Sequence, residues 1–178
     1  MIRKYFFDTE FIEDGRTIDL VSIGMVSEDG RSLYLGNMDA DFAKASDWVR
    51  ENVFPHLPLR EDLSCKYIPC FWKSRTDIRN AVLDFCNPHE HGNPEFWGYF
   101  ADYDWIVLCQ LFGRMIDLPQ GWPMYCGDVK QLADSVQAPK LPEPENAHNA
   151  LTDARWNRDY YNDIKQRIES GELSMLSL

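Results

Sequence analysis

The chain has 178 residues, 44% of them hydrophobic and 13% aromatic, which excludes an intrinsically disordered protein and fits one domain with its own core. Its formal net charge of −11 argues against a protein that holds long nucleic acid by phosphate neutralisation alone. No apolar run approaches the roughly 18–20 residues that cross a bilayer, and acids interrupt the N-terminal segment "MIRKYFFDTEF" where a signal peptide is apolar, so we expect a cytoplasmic protein.

The first 36 residues predict three β-strands. Their segments are "RKYFFDTEF", "TIDLVSIGMVSE" and "RSLYLG", each rich in aromatic or branched side chains. Asp29-Gly30 stands between the second and third segments and is a strong signal for a two-residue hairpin. We therefore expect an antiparallel three-stranded meander at the start of the domain.

Two helices are predicted after the meander. The segment "DADFAKASDWVRENVF" has apolar residues at helical spacing, and these are Phe42, Ala45, Trp48 and Val49. The second helix begins in "KSRTDIRNAVLDFC", where Ser74 and Asp77 have the spacing of a capping box. Residues 55–71 between the two helices form a loop that is long for a compact domain and is a candidate binding lid.

The second half of the chain alternates strands with helices. "FWGYF" predicts a short buried strand and "DWIVLCQLFGRM" the helix after it, and "PMYCGDVKQLADSV" repeats that order. The stretch "HNALTDARWNRDYYNDIKQRIESG" predicts a final amphipathic helix. Because such alternation favours parallel pairing, we expect a mixed α/β sheet in a single domain, residues 1–170, followed by a C-terminal tail, residues 171–178.

Acidic residues occur where the predicted elements would bring them together. Asp8 and Glu10 share one face of the first strand, about 7 Å apart, and repel each other unless a cation lies between them. Asp104 lies at a strand-to-helix junction, and His148 and Asp153 open the last helix. A trio or quartet of carboxylates is the oxygen-rich shell that Mg²⁺ or Mn²⁺ prefers. The predicted metal ligands are Asp8, Glu10, Asp104 and Asp153.

Each of these residues also has a purely local explanation. Asp-x-Glu on a strand most often belongs to a face that is exposed to solvent. The aromatic residues beside the pair in this chain argue against an exposed face. Asp104, or Asp102 two residues earlier, would serve as an ordinary helix N-cap. Asp153 would pair with Arg155 or Arg158 on an exposed helix. The combination therefore carries more weight than any one residue.

The order and spacing of these residues resemble a known superfamily. Asp8-Thr9-Glu10, then Asp104, then His148 with four residues before Asp153, is similar to the DEDDh branch of the DnaQ-like, ribonuclease T-type 3′→5′ exonucleases. The frame of the middle motif in that branch selects Asp104 over Asp102. From about residue 3 to 160 the chain is similar, more closely still, to the polyadenylate-specific ribonuclease AS group of actinobacteria.

The resemblance implies a ribonuclease-H-like fold, two divalent cations (Mg²⁺ or Mn²⁺), release of nucleoside 5′-monophosphates from the 3′ end of single-stranded RNA, and a homodimer. It also implies a set of catalytic residues, with the histidine taking the proton of the attacking water. These residues are Asp8, Glu10, Asp104, His148 and Asp153.

Aromatic residues beside the acids are candidates for stacking on RNA bases, because single-stranded ends are commonly held in this way. The candidates are Phe11, Tyr103 and Trp105. Packing in the core is the alternative for all three. For the whole chain, the alternatives are a DNA exonuclease of the same fold, a non-catalytic nucleic-acid-binding relative, and a phosphatase or nucleotidase that acts on small molecules.

Overall fold

The computed structural model describes residues 1–58 and 71–175. In this part of the chain, six strands form one sheet in the order β4-β3-β2-β1-β5-β6. The strands are β1 (Ile2–Glu13), β2 (Ile18–Ser27), β3 (Ser32–Asn37), β4 (Trp72–Lys73), β5 (Asn93–Gly98) and β6 (Gly127–Asp128). The helices are α1 (Asp47–Asn52), α2 (Arg75–Phe85), α3 (Pro88–His91), α4 (Asp102–Gln110), α5 (Val129–Val136) and α6 (Ala150–Glu169).

The sheet is mixed, as predicted. Strands β1, β2 and β3 form the antiparallel meander, and a turn at Gly30, whose φ is +92°, joins β2 to β3. Strand β5 pairs with β1 in parallel, and β6 pairs with β5 in parallel. The central strand β1 therefore has an antiparallel neighbour on one side and a parallel neighbour on the other.

Alternation along β1 divides the core into two layers. Tyr5 and Phe7 point to the face that α2 and α4 cover, where they pack with residues such as Ile78 and Leu108. Phe6 points to the opposite face and packs with the residues of α5 and α6, including Ile164. Because Asp8 and Glu10 continue the alternation of Phe6, both acids belong to the α6 face.

The predicted helix over residues 39–54 is wrong in its extent. A short 3-10 turn, Phe42–Lys44, precedes α1, which begins only at Asp47. Ser46 accounts for the break, because its Oγ caps α1 by accepting a hydrogen bond from the Val49 N–H. Trp48 consequently does not face the core, and 54% of its surface is exposed. Of the predicted loop over residues 55–71, residues 59–70 lie outside the described part of the chain.

Gly24 of β2 lets the N-terminus of α6 approach the sheet. It is the β2 partner of Asp8, and a Cβ atom at this position would lie 2.2 Å from the carbonyl carbon of Ala150. Ala150 and Ala154 of α6 are themselves fully buried. Small residues on both elements therefore bring the first turn of α6 next to Asp8.

Within the described ranges, no helix is long and apolar enough to cross a membrane. The predicted extent of the domain, residues 1–170, stays a prediction, although α6 ends at Glu169, close to that boundary.

Candidate active site

The free edge of β1 is where side chains from α4 and α6 meet the sheet. The pairing of β1 with β5 ends at Phe6, so the backbone groups beyond it need other partners. The Phe7 carbonyl accepts a hydrogen bond from Asn157 Nδ2 of α6 at 3.0 Å. The Thr9 N–H donates to Asp104 Oδ1 of α4 at 2.8 Å. These two bonds fix both helices against the carboxyl-terminal half of β1.

Three carboxylates converge on the α6 face of this edge. Asp8 and Glu10 come from β1 and Asp153 from the first turn of α6, and one oxygen of each lies within 4.8 Å of the others. Glu10 is buried, and Asp8 and Asp153 are half-buried. The structure thus brings together three of the four predicted metal ligands.

Asn149 holds the start of α6 in this position. Its Oδ1 caps the helix by accepting a hydrogen bond from the Thr152 N–H at 3.1 Å. Its Nδ2 donates to Tyr34 Oη at 2.9 Å and to the His56 carbonyl at 3.2 Å. One side chain therefore both begins the helix and anchors it to β3 and to the turn after α1.

Asp104, the fourth predicted ligand, lies on α4 in the opposite layer and is not one of the three carboxylates that converge within 4.8 Å. It is buried in the first turn of α4, and its Oδ1 accepts hydrogen bonds from both the N–H and the Oγ1 of Thr9. It is not the N-cap, since Ala101 occupies that position and its N–H donates to Asp128 Oδ2. Asp102 is exposed and Asp104 is buried, and the choice of Asp104 as the ligand stays a prediction.

His148 lies at the rim of the carboxylate cluster, before the first turn of α6. Its φ is +65°, and its backbone N–H donates to Asp153 Oδ2 at 2.8 Å. The imidazole is exposed and contacts the Trp48 ring edge-to-face, with centroids 5.0 Å apart. No pattern in the sequence indicates this contact, because Trp48 fits an apolar helical pattern, which predicts a place in the core.

Burial raises the pKa values of the clustered acids, and repulsion from neighbouring acids raises those of Asp8 and Glu10 further. Burial is the largest cause for each of them. The pKa of Asp8 is raised well above its usual value, with further contributions from Asp104, Glu10 and Asp153. The pKa of Glu10 is raised to about 8 and that of Asp153 to about 6. Burial also raises the pKa of Asp104 to about 6, although the hydrogen bonds from Thr9 lower it.

The donor set fits a divalent cation. Across residues 1–58 and 71–175, none of the three converging carboxylates forms an ion pair with a lysine or arginine. Carboxylate oxygens this close together are the ligands that Mg²⁺ and Mn²⁺ prefer. A bound cation would remove the repulsion that raises the pKa values of these acids.

We predict that the metal-free protein loses stability as the pH rises. Acids whose pKa is raised in the folded state hold more protons folded than unfolded between about pH 4 and 8, so stability is greatest below that window and falls across it. Each pKa unit of difference corresponds to about 1.4 kcal/mol. In EDTA, Tm should therefore fall by about 5 °C or more between pH 5.5 and 8.

Thermal unfolding followed by circular dichroism checks this prediction, with a matched series in saturating Mg²⁺. The cation favours the ionised carboxylates, so the decline in Tm should be much smaller in the Mg²⁺ series. A Tm in EDTA that is constant or rises toward pH 8 would contradict the raised pKa values.

The three aromatic candidates for RNA contact have different environments. Phe11 and Tyr103 stack on each other, with ring centroids 5.8 Å apart and an interplanar angle of 14°, and 54% of Tyr103 is exposed. Trp105 instead belongs to the core, where it packs on Phe7 and Phe96. Burial leaves Trp105 unsuited to stacking on a base, so its predicted role is corrected to core packing.

Comparisons with known proteins identify the family. Residues 3–165 match the family described as the 3′-5′ exoribonuclease Rv2179c-like domain. The chain belongs to this family. It is 40% identical over 153 residues to two Mycobacterium tuberculosis proteins, 3′-5′ exoribonuclease Rv2179c of strain ATCC 25618 / H37Rv and 3′-5′ exoribonuclease MT2234.1 of strain CDC 1551 / Oshkosh. Each alignment covers 85% of this chain and 87% of the relative.

A solved structure supports the fold. The Pan2 catalytic unit of Neurospora crassa, a protease and nuclease domain, superposes with a TM-score of 0.58 at 13% identity. The match covers 94% of this chain and 28% of that one. The predicted ribonuclease-H-like fold and DEDDh-type exonuclease family are confirmed. The closer likeness to polyadenylate-specific ribonuclease AS stays a prediction.

Proposed function

We propose that this chain is a metal-dependent 3′→5′ exoribonuclease that hydrolyses the terminal phosphodiester of single-stranded RNA. The observation that carries the proposal is the convergence of Asp8, Glu10 and Asp153 within 4.8 Å, in a chain that belongs to an exoribonuclease family. The names of the two mycobacterial relatives support the same reaction and the same direction.

Two divalent cations, Mg²⁺ or Mn²⁺, would be held by Asp8, Glu10, Asp104 and Asp153. When bound, such ions supply a polarised water and stabilise the charge on the leaving 3′ oxygen. The carboxylates would hold the ions in place, and the hydrogen bonds from Thr9 hold the Asp104 carboxylate in one orientation. The raised pKa values of the acids support a site that is completed by cations.

His148 would act as the general base. Its imidazole is exposed at the rim of the carboxylates, and its backbone is tied to Asp153, so the ring would lie next to a phosphate held at the carboxylates. Histidine is the side chain that most often serves as a general base in enzymes. The ring would take the proton of the attacking water and pass it to bulk solvent.

Cations at this site also account for RNA binding by an acidic protein. A net charge of −11 repels phosphates, and two divalent ions would add four positive charges where the terminal phosphate lies. Affinity for long RNA should then be modest and only weakly dependent on salt. The stacked pair Phe11 and Tyr103 would contribute a sequence-tolerant contact with a base.

The proposal is tested by incubating the protein with 5′-labelled oligoadenylate, oligouridylate and oligodeoxyadenylate, and separately with a mononucleotide, each with Mg²⁺ or Mn²⁺ and with EDTA. We expect a ladder that shortens from the 3′ end of the RNA substrates and disappears in EDTA. A ladder only on the deoxy substrate would favour the DNA exonuclease. Binding that is insensitive to EDTA, without cleavage, would favour a non-catalytic relative, and hydrolysis of mononucleotides alone would favour a phosphatase or nucleotidase.

Two finer proposals follow from the resemblance alone, a preference for polyadenylate and a homodimeric assembly. A third, a cytoplasmic location, follows from the acids in the N-terminal segment and from the lack of a long apolar run in the sequence. The comparison of oligoadenylate with oligouridylate tests the first, and sedimentation of the purified protein tests the second.

A further inference from the structure

The side chain of Lys140 lines a cavity of about 190 Å³ that lies beside the carboxylates. Its walls include Asp8 and Asp153 on the catalytic side, Tyr99 at the end of β5, Trp156 of α6, and Lys140 from the segment before α6. Among the lining residues that the structure describes, Lys140 is the only lysine or arginine. A cation at this place is notable in a chain with a net charge of −11.

The ammonium group of Lys140 is held in a defined position. Its Nζ lies 5.6 Å from the centroid of the Tyr99 ring and 5.8 Å from that of the Trp156 ring, within the range of cation–π attraction. Trp156 Nε1 donates to the Pro142 carbonyl at 2.8 Å, which ties the segment that carries Lys140 to α6. Binding a ligand here would therefore require little further ordering of the side chain.

Lys140 keeps hydrogen-bonding capacity for a ligand. It pairs with Glu143 at 2.6 Å and with neither Asp8 nor Asp153. Glu143 is itself 68% exposed, so the pair is a surface ion pair that contributes little to stability. Because an ammonium group has three N–H donors, two of them remain for an anion that enters the cavity.

We propose that Lys140 binds the phosphate that lies next to the scissile phosphate on its 5′ side, and so forms a second RNA-binding subsite. The inference rests on the proposed function, in which the scissile phosphate lies at the carboxylates. Lys140 shares a cavity with Asp8 and Asp153 but does not pair with them. Its charge is therefore adjacent to the reacting phosphate and is separate from the catalytic cluster.

Substrate length tests this assignment. Diadenylate has only the scissile phosphate, whereas triadenylate has one further phosphate on the 5′ side. In Lys140→Met, which keeps most of the apolar stem and removes the charge, KM for triadenylate should rise about tenfold, as expected for one charge-assisted hydrogen bond. KM for diadenylate and kcat for both substrates should stay within about twofold of the unmodified protein, since the reacting phosphate is unaffected.

Lys130 provides a matched control. Like Lys140, it pairs with an acid, which here is Asp134 of α5, and its Nζ lies 5.9 Å from the centroid of the Phe100 ring. Unlike Lys140, it does not line the cavity beside Asp8 and Asp153. Lys130→Met should therefore leave KM for both substrates unchanged. The salt dependence of binding to a longer oligoadenylate should become shallower by about 0.7 in log Kd against log salt for Lys140→Met only.

The outcomes separate this inference from the proposed function. Equal losses on diadenylate and triadenylate, or a fall in kcat on both, would show that Lys140 only holds the segment before α6 and would overturn the subsite. If the unmodified protein hydrolyses neither substrate, the proposed function fails. Displacement of a labelled oligonucleotide by the two substrates then still decides whether Lys140 discriminates between them.

Discussion

Replacing Asp8 by asparagine (Asp8→Asn) is expected to abolish hydrolysis and, at the same time, to stabilise the metal-free protein. Asp8 is central to the carboxylate cluster, and its pKa is raised by burial and by Asp104, Glu10 and Asp153. Loss of a residue that would hold the metal should lower kcat by about 10³ or more, because metal ions supply several kcal/mol and each 1.36 kcal/mol is tenfold. Initial rates on oligoadenylate in Mg²⁺ measure this loss.

The gain in stability has the same cause. At pH 8 and in EDTA, the amide replaces a carboxyl group whose ionised form is disfavoured in the folded state by its surroundings and by the neighbouring acids. We expect Tm to rise by about 3 °C or more under these conditions, and the difference to vanish near pH 4, where the unmodified acids are protonated. In saturating Mg²⁺ the order should reverse, since the unmodified protein binds the ion more tightly.

Asp102→Asn is a suitable control for the same chemical change. Asp102 is exposed, two residues before Asp104, so its replacement should change kcat by less than about twofold and Tm by only about 1 °C. An Asp8→Asn protein that keeps its activity would contradict the assignment of Asp8 as a ligand. A lower Tm in EDTA at pH 8 would contradict the repulsion inferred within the cluster.

Local patterns in the sequence predicted the elements that carry the acids. Two-residue alternation put Asp8 and Glu10 on one strand face, and the structure places both on the face covered by α6. His148 and Asp153 were expected to open the last helix, and α6 begins at Ala150, with His148 directly before its N-cap Asn149 and Asp153 in its first turn. These predictions succeeded because each depends on strand or helix periodicity within a few residues.

Contacts between distant segments could not be predicted from such patterns. Ser46 is one polar residue in an apolar helical pattern, yet its side chain caps α1 and divides the predicted helix. Trp105 follows Asp104 directly, but the helical turn points it into the core with Phe7 and Phe96. The cavity beside Lys140 forms only when the segment before α6 packs on Tyr99 and Trp156. Single positions of this kind are decided by tertiary packing, which periodicity does not describe.

Replacing His148 by alanine (His148→Ala) is expected to lower kcat by about 10² or more while RNA binding is retained, in line with the usual contribution of a general base. The backbone N–H of residue 148, which donates to Asp153, is kept in the variant, so the carboxylate cluster should stay intact. Single-turnover rates on oligoadenylate in Mg²⁺ measure the loss, and the Kd in the presence of Ca²⁺ measures binding.

The controls for this variant separate proton transfer from structure. His89→Ala removes an exposed imidazole from α3, away from the carboxylate cluster, and should leave kcat unchanged. If His148 acts as a base, His148→Ala should lose rate while its Kd for RNA and its Tm stay unchanged, whereas a variant that disturbs the fold would also bind RNA more weakly and have a lower Tm. Near-normal turnover of His148→Ala would remove the histidine from the mechanism, and the acids alone would then have to orient and deprotonate the attacking water.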